Sequence, residues 1–360
     1  MRADRRARPG LPGPSKKGGG TVSVTHRVRS RSRTRTLIVC VILLVLALLV
    51  GIIMIGSGDY PLGPDRVLGV LFGGGSDLER SIVLSWRAPR ALAAIVFGAA
   101  LGVSGGVFQS LTRNPLGSPD VIGFGTGAYT GALLAIMLVG GSYVATSIGA
   151  LTGGLGTALL IYFLAWRRGS HGYRLILVGI GISAALAAIN QWLVLRADIE
   201  VAMAAAVWGA GSLGGTTWAQ ALPAILVILP VLALTLAGGR TLGMLELGDD
   251  AAQALGVRTE RARLILVVLA VALTAAVTAV AGPIAFVALV APQLARRLTG
   301  SAGIALIPAA CMGAFLLVTA DLLAQRMFAP IQLPVGLVTV CLGGVYLLWL
   351  LGREGSKRLR

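Results

Sequence analysis

The stretch that decides the fold is residues 121–166, VIGFGTGAYTGALLAIMLVGGSYVATSIGALTGGLGTALLIYFLAW, which contains 46 residues and no charged side chain. A helix needs about 20 apolar residues to cross a bilayer, so this stretch is long enough for two spans, with a turn predicted near Gly140-Gly141. Only helices and closed barrels satisfy every backbone polar group in lipid. A barrel would show alternating strands of about ten residues, whereas this run is continuous. The stretch therefore predicts an all-α polytopic membrane protein.

The composition of the whole chain agrees with that class. Hydrophobic residues make up 56% of the 360 residues and charged residues only 12%, whereas a soluble domain carries about 25% charge. This composition excludes a soluble enzyme, a disordered protein and a disulfide scaffold. The three cysteines, Cys40, Cys311 and Cys341, lie in apolar runs without a second ligand at metal-binding spacing, so we expect inert thiols and no metal site.

Uncharged runs elsewhere raise the predicted count to ten membrane spans. Leu264–Ala295 supplies two spans separated at Gly282-Pro283, because a helix tends to end before proline. The glycine-rich segment Gly209–Gly215 is interpreted as short or re-entrant. The remaining single spans are predicted at Leu37–Gly56, Ala91–Thr112, Leu175–Leu195, Trp218–Gly239, Leu298–Ala320 and Met327–Gly352.

The net charge of +17 is explained by basic residues that orient the chain in the membrane, rather than by nucleic-acid binding. Residues 1–36 hold 11 of the 31 basic residues and one acidic residue, which predicts a disordered basic tail in the cytoplasm. Arg167 and Arg168 also fall inside, as does a basic C-terminal tail at 353–360. We therefore predict a transmembrane domain at 37–352 with both termini cytoplasmic, in the cytoplasmic (inner) membrane, and membrane lipid as its surroundings.

The spans are poor in groups that could drive transport. Asp321, near a span end, is the one acidic residue predicted within them. Ion-coupled carriers usually rely on intramembrane carboxylates, so energy would have to come from another subunit. A secondary carrier working alone and a lipid-modifying membrane enzyme remain as alternatives. No catalytic residue and no cofactor are predicted.

Two patterned regions offer candidate functional residues. In residues 240–263, Asp249 or Asp250 can cap a short helix that Gly256 ends; such a helix is either a lever for a soluble motor or an ordinary loop. In residues 87–128, recurring small residues permit close helix contact, and Asn114-Pro115 then breaks the helix. That break is either a plain turn or the lining of a cavity.

Several blocks in order resemble the FecCD-type permease subunits of ABC importers for iron–siderophore complexes, haem and cobalamin. The blocks are Arg87-x-Pro89-Arg90 with Gly98, Gly105, Gln109, Asn114-Pro115-Leu116-Gly117 and Gly123–Ala128; Trp208, Gly211-Ser212-Leu213 and Trp218; Leu247-Gly248, Ala251 and Leu255-Gly256-Val257; Gly282–Phe286 with Pro292 and Arg296; and Leu333–Gly336. They cover about residues 37–352.

The chain departs from the family pattern at two positions, and it is also similar to one subgroup of the family. The family usually has Pro-His where this chain has Pro292-Gln293, and often has Glu at the position of Gln332. The phrases at 108–111, 117–120 and 290–297 are similar to ferric-enterobactin-type permease subunits, which form heterodimers.

The resemblance implies a set of partners and site residues. It implies a second permease subunit (a heterodimer favoured, a homodimer possible), ATP-binding subunits, an extracytoplasmic substrate-binding protein and a ferric-siderophore cargo, with haem or cobalamin as alternatives. Coupling to the ATP-binding subunit is expected at Leu247, Gly248, Asp249, Asp250, Ala251, Leu255, Gly256 and Val257. Docking of the binding protein is expected at Arg87, Arg90 and Arg326. Helix breaks along the path are expected at Asn114, Pro115, Gly117, Gly211, Ser212, Gly282 and Pro283.

Overall fold

The chain folds into a bundle of helices that differ widely in length. The computed structural model describes residues 21–120, 123–165 and 172–358, and every regular element in these ranges is helical. The first eight helices are α1 (Thr21–Gly56), α2 (Pro64–Leu71), α3 (Asp77–Arg80), α4 (Ala88–Thr112), α5 (Phe124–Val139), α6 (Tyr143–Ala165), α7 (Gly172–Arg196) and α8 (Ile199–Gly209). The others are α9 (Trp218–Ala237), α10 (Gly239–Glu246), α11 (Asp249–Ala254), α12 (Thr259–Ala281), α13 (Val287–Thr299), α14 (Leu306–Arg326) and α15 (Val335–Arg358). A π-helix, Ser81–Arg87, joins α3 to α4.

The predicted all-α membrane class is confirmed. Within the described ranges, seven helical segments are long and apolar enough to cross a membrane, and α5, α8 and the apolar part of α15 are shorter. The predicted turn at Gly140-Gly141 separates α5 from α6, and both glycines have positive φ. The predicted break at Gly282-Pro283 separates α12 from α13.

Several predicted boundaries differ from the structure. The span predicted at Leu298–Ala320 begins eight residues later, at Leu306, because α13 continues to Thr299. The span predicted from Met327 begins at Val335. At the N-terminus, residues 21–36 of the predicted disordered tail are the first turns of α1, while residues 1–20 lie outside the described residues, as do Arg167 and Arg168.

Helix α4 forms the centre of the bundle and packs against α9, α12, α13 and α14. Its small residues are placed where neighbouring backbones come closest. A Cβ added at Gly98 would collide with the carbonyl oxygen of Gly313, and one at Gly105 would collide with that of Ala288. Ser104 is fully buried and its hydroxyl donates to the Ala270 carbonyl of α12 at 2.8 Å. The glycine pattern predicted to allow close helix contact therefore does so in the core.

Candidate functional site

Two of the predicted helix breaks lie in contact with each other. One follows α8, at Gly211-Ser212, and the other follows α12, at Gly282-Pro283. The Ser212 amide donates to the Ala281 carbonyl at 2.7 Å. Gly211 and Gly282 have φ of +68° and +70°. A Cβ at Gly211 would collide with the Pro283 carbonyl oxygen, and one at Gly282 would collide with the Trp208 carbonyl oxygen in the last turn of α8. Glycine is therefore required at both positions by conformation as well as by space.

Pro283 of the α12–α13 break and the C-terminal end of α8 form one wall of a cavity of about 700 Å³. Its size falls within the range of small-molecule sites, about 300–1,000 Å³. Most of the wall is apolar or small, and the polar side chains come from the α4–α5 connection, α5 and α7. The lining residues are Asp120, Gly125, Thr126, Tyr129, Ala187, Asn190, Gln191, Val194, Leu195, Ala206, Gly209, Ala210, Pro283 and Ala285.

Asp120 is the acidic group of this cavity. It lies in the connection between α4 and α5, outside both helices, and keeps some exposure. Burial among the surrounding helices raises the pKa of its carboxyl to about 7, since a low-dielectric environment disfavours the charged form. A Cβ built at Gly125 would be 3.7 Å from Asp120 Oδ1 and 3.9 Å from Pro283 Cβ. The missing side chain at Gly125 therefore keeps the space between the carboxyl and the α12–α13 break open.

The predicted coupling residues form a short helical hairpin, α10–α11, at one end of the bundle. Leu247 and Leu255 are exposed there, at 68% and 60%. The residue that precedes α11 is Gly248, with φ of +117°, so the prediction that Asp249 or Asp250 caps this helix is wrong: both lie in its first turn. Negative charge in the first turn still stabilises the positive end of the helix dipole.

Charged contacts fix this hairpin to three other elements. Arg263 of α12 donates to the Asp249 carboxylate at 2.8 Å, and Arg113, just after α4, approaches the same carboxylate at 3.7 Å. Glu246 of α10 accepts a hydrogen bond from Ser110 of α4 at 2.6 Å and another from the Ile304 amide at 3.5 Å. A displacement of the hairpin would therefore be felt directly by α4, α12 and the residues before α14.

The three arginines predicted to dock a partner lie together at the opposite end of α4. The Arg87 guanidinium donates to the carbonyls of Ile55 and Tyr60 at 2.8 and 2.9 Å. The Arg326 side chain is exposed and makes one long contact, 3.4 Å, to the Gly58 carbonyl. Arg90 differs from both because it is largely buried.

Arg90 forms a bidentate salt bridge with Asp321 inside the protein. Its Nε and Nη2 donate to the two carboxylate oxygens of Asp321 at 2.8 and 2.9 Å, and its Nη1 donates to Gln332 at 3.0 Å. The Asp321 side chain is 0% exposed and the Arg90 side chain 12%. This guanidinium therefore joins α4 to α14 and to the residues that precede α15.

The break at Asn114-Pro115 lies away from the cavity, near the α10–α11 hairpin. Asn114 Oδ1 accepts from the Leu116 amide at 2.9 Å, which makes a local turn. The Pro115 carbonyl accepts from Gln293 Nε2 at 2.8 Å. Gly117 has no room for a Cβ beside the Thr112 hydroxyl. The predicted path residues therefore fall in two places: only Pro283 lines the large cavity, with Gly211, Ser212 and Gly282 directly behind it.

Comparison with known proteins agrees with this arrangement. The model of the FecCD transport family matches residues 41–353. This chain belongs to the FecCD family. It is 50% identical to the ferric enterobactin transport system permease protein FepG of Escherichia coli K12 over 311 residues, which cover 86% of this chain and 94% of that one. It is 39% identical to the hemin transport system permease protein HmuU of Yersinia pestis over 79% of this chain and 86% of that one.

A solved structure gives the same result for the fold of this FecCD chain. An inward-facing metal-chelate type ABC transporter superposes with a TM-score of 0.78 at 27% identity, covering 87% of this chain and 98% of that one. The chain is thus a permease subunit of an ABC importer. As a FecCD permease it is a transport component and not an enzyme, and the ATPase is a separate subunit.

The sequence of this FecCD chain does not mark three polar residues of the cavity, Asp120, Asn190 and Gln191, as site residues. Asp120 stands at the edge of the long uncharged run, where it reads as part of a loop. Asn190 and Gln191 are uncharged and do not interrupt an apolar span. Adjacent amide side chains inside a predicted span are nevertheless a usable signal, because polar groups in lipid face other protein or a cavity.

Proposed function

We propose that this chain is the membrane-spanning subunit of an ATP-driven importer that carries ferric-siderophore complexes into the cytoplasm, with catecholate complexes favoured. The observation that carries this proposal is the identity with FepG at half of the aligned positions, spread over nearly the whole of both chains. The cavity between α5, α7 and the two helix breaks supports it, because its volume suits a small-molecule cargo.

The proposed topology has ten spans, both termini in the cytoplasm and a place in the inner membrane. It adds α5, α13 and the apolar part of α15 to the seven longer segments. Arg296 and Arg297 in the last turn of α13, together with the basic residues among the first 36 of the chain, support the cytoplasmic placement of those ends. In this topology the α10–α11 hairpin faces the cytoplasm and Arg87 faces outward.

The proposed assembly contains two ATP-binding subunits, a second permease subunit and an extracytoplasmic binding protein. The ATP-binding subunits would contact α11 and the residues around it, where Leu247 and Leu255 are exposed. The second permease would cover the exposed apolar side chains of α7 and α8, in a heterodimer rather than a homodimer. The binding protein would contact Arg87 and Arg326, with Arg90 behind them as the buried member of the group.

The cargo is tested by uptake of labelled ferric enterobactin in a strain that lacks this gene, with and without a plasmid copy. Unlabelled catecholate, hydroxamate, haem and cobalamin compete in separate arms. The haem arm is included because of the 39% identity with HmuU. We expect competition by catecholates alone. Competition by haem or by cobalamin alone would identify that compound as the cargo instead. Accumulation in liposomes driven by an ion gradient, without an ATP-binding subunit, would contradict the ATP-driven mechanism.

A further inference from the structure

The cavity wall contains a buried hydrogen-bond acceptor that has no partner among the described residues. Asn190 is 5% exposed; its Nδ2 donates to the Thr126 carbonyl at 3.4 Å, whereas its Oδ1 has no partner among the described residues. A buried acceptor without a donor is costly, so each such atom in a native structure calls for an explanation. Asn190 lines the cavity, so a donor that enters this space is a candidate partner for its Oδ1.

Asp120 adds a second acceptor from a different element. Among the described residues, no side chain donates a hydrogen bond to its carboxyl and none forms an ion pair with it, and desolvation is the cause that shifts its pKa. Gly125 leaves the space beside it open. Gln191 follows Asn190 on α7 and supplies a further amide in the wall. Among the described residues that line the wall, Tyr129 is the one other titratable side chain and none is a cation.

The opposite wall allows a bulky cargo to approach these acceptors. It consists of Ala206, Gly209 and Ala210 with Pro283 and Ala285, none of which carries a side-chain donor. A cargo in the cavity would therefore meet small apolar groups on one side and, on the other, polar side chains that include the acceptors of Asp120 and Asn190. Its orientation would be set by its own N–H or O–H groups.

We propose that Asp120, Asn190 and Gln191 form an acceptor subsite that binds the amide N–H or hydroxyl donors of the cargo during its passage. The inference rests on the proposed import function and adds to it which chemical groups of the cargo the permease recognises. It makes these three residues determinants of specificity in the membrane subunit, in addition to the selection made by the binding protein.

The test uses the whole transporter in proteoliposomes with ATP and saturating, preloaded binding protein. Saturation matters because the binding protein sets the affinity for external cargo, so the rate reports the permease. Two probes are compared: the ferric complex of a tricatechol ligand with secondary-amide N–H groups, and the complex of its N-methylated amide analogue. We expect the unmodified protein to carry the first about five times faster or more, the effect of losing one or two hydrogen bonds.

The variants decide whether Asp120 and Asn190 produce that preference. Asp120→Leu and Asn190→Leu should each bring the two rates to within about twofold of each other by slowing the amide-bearing probe alone. Asp120→Asn keeps an acceptor oxygen and should keep the preference. Thr152→Val is the matched control, because Thr152 is exposed on α6 and its hydroxyl bonds only carbonyls of its own helix.

The outcomes separate the two proposals. If the unmodified protein carries neither ferric complex with ATP, the proposed function fails. If it carries both and the ratio of rates is the same in the unmodified protein, Asp120→Leu and Asn190→Leu, the acceptor subsite is refuted while the function stands. Co-purification with the ATP-binding subunit and ATPase activity identify a variant that fails to assemble. The other leucine variant then provides the ratio, with Asp120→Asn as the comparison that should keep the preference.

Discussion

The ion pair between Arg90 and Asp321 allows a sharp prediction about stability. Arg90→Leu removes the guanidinium and leaves the Asp321 carboxylate, 0% exposed, with Gln325 Nε2 at 3.0 Å as its remaining partner. Removing one member of a buried pair typically costs about 3–5 kcal/mol, because the other charge stays buried without compensation. Asp321→Leu should cost less, about 1–3 kcal/mol, since Arg90 keeps Gln332 and is 12% exposed.

The double variant tests the mechanism. Replacing a buried ion pair by apolar side chains of similar size is often close to neutral, so Arg90→Leu with Asp321→Leu should be more stable than Arg90→Leu alone. The measurement is the apparent free energy of unfolding in mild detergent by SDS titration, arranged as a double-mutant cycle. Additive losses would refute the reasoning. Unchanged stability in Arg90→Leu together with lost binding-protein docking would show instead that Arg90 acts at the surface.

Four further predictions concern packing, coupling, docking and pH. Gly105→Ala should lower stability by about 1–3 kcal/mol or prevent folding, because its Cβ meets the Ala288 backbone; thermal unfolding in detergent measures this, and Gly156→Ala, which has open space, is the control. Leu255→Ser should leave ATPase activity and expression intact while reducing uptake, since it removes an exposed apolar contact of the hairpin; normal uptake would count against the coupling assignment. Arg326→Glu should weaken docking of the binding protein more strongly at low salt than at high salt, because rim charges mainly steer association; an equal effect at both would contradict it. Asp120 has a raised pKa of about 7, so its contribution to stability is full below pH ~4 and is lost as pH rises through ~7; Asp120→Asn should flatten the fall in melting temperature over that range, and an unchanged slope would contradict the assignment.

The helices were predictable from run length, but only where charge, a glycine pair or a glycine–proline pair marks their ends. No charged residue occurs in residues 300–305, before α14, or in residues 327–334, before α15. Hydropathy cannot distinguish such a connection from a span, so both boundaries were placed too early. Arg296 and Arg297 lie in the last turn of α13, which continues to Thr299, so the span predicted to end at Ala295 also ended too early.

The site was less predictable than the fold, because it depends on which breaks meet in space. The sequence indicates breaks at Asn114-Pro115, Gly211 and Gly282-Pro283 with similar strength. Only the packing shows that the last two contact each other at one wall of a cavity, which Pro283 lines, while the first lies beside the α10–α11 hairpin. Likewise, nothing in the sequence alone shows that Arg90, one arginine of three in a group, has its carboxylate partner 231 residues away.

The two parts of the site are joined by a helix suited to transmit force. Helix α12 has 23 residues, about 34 Å at 1.5 Å per residue, and contains neither glycine nor proline. Arg263 near its start binds Asp249 of the hairpin, and the carbonyl of Ala281 at its end accepts from Ser212 beside the cavity. The neighbouring α9 carries Pro223 and Pro230 inside the helix, each of which removes a backbone hydrogen bond and softens it. A motion imposed on the hairpin would therefore reach the cavity wall through α12 with less bending of the helix than through α9. Pro283, in the break that follows α12, is the cavity residue that this motion would displace first.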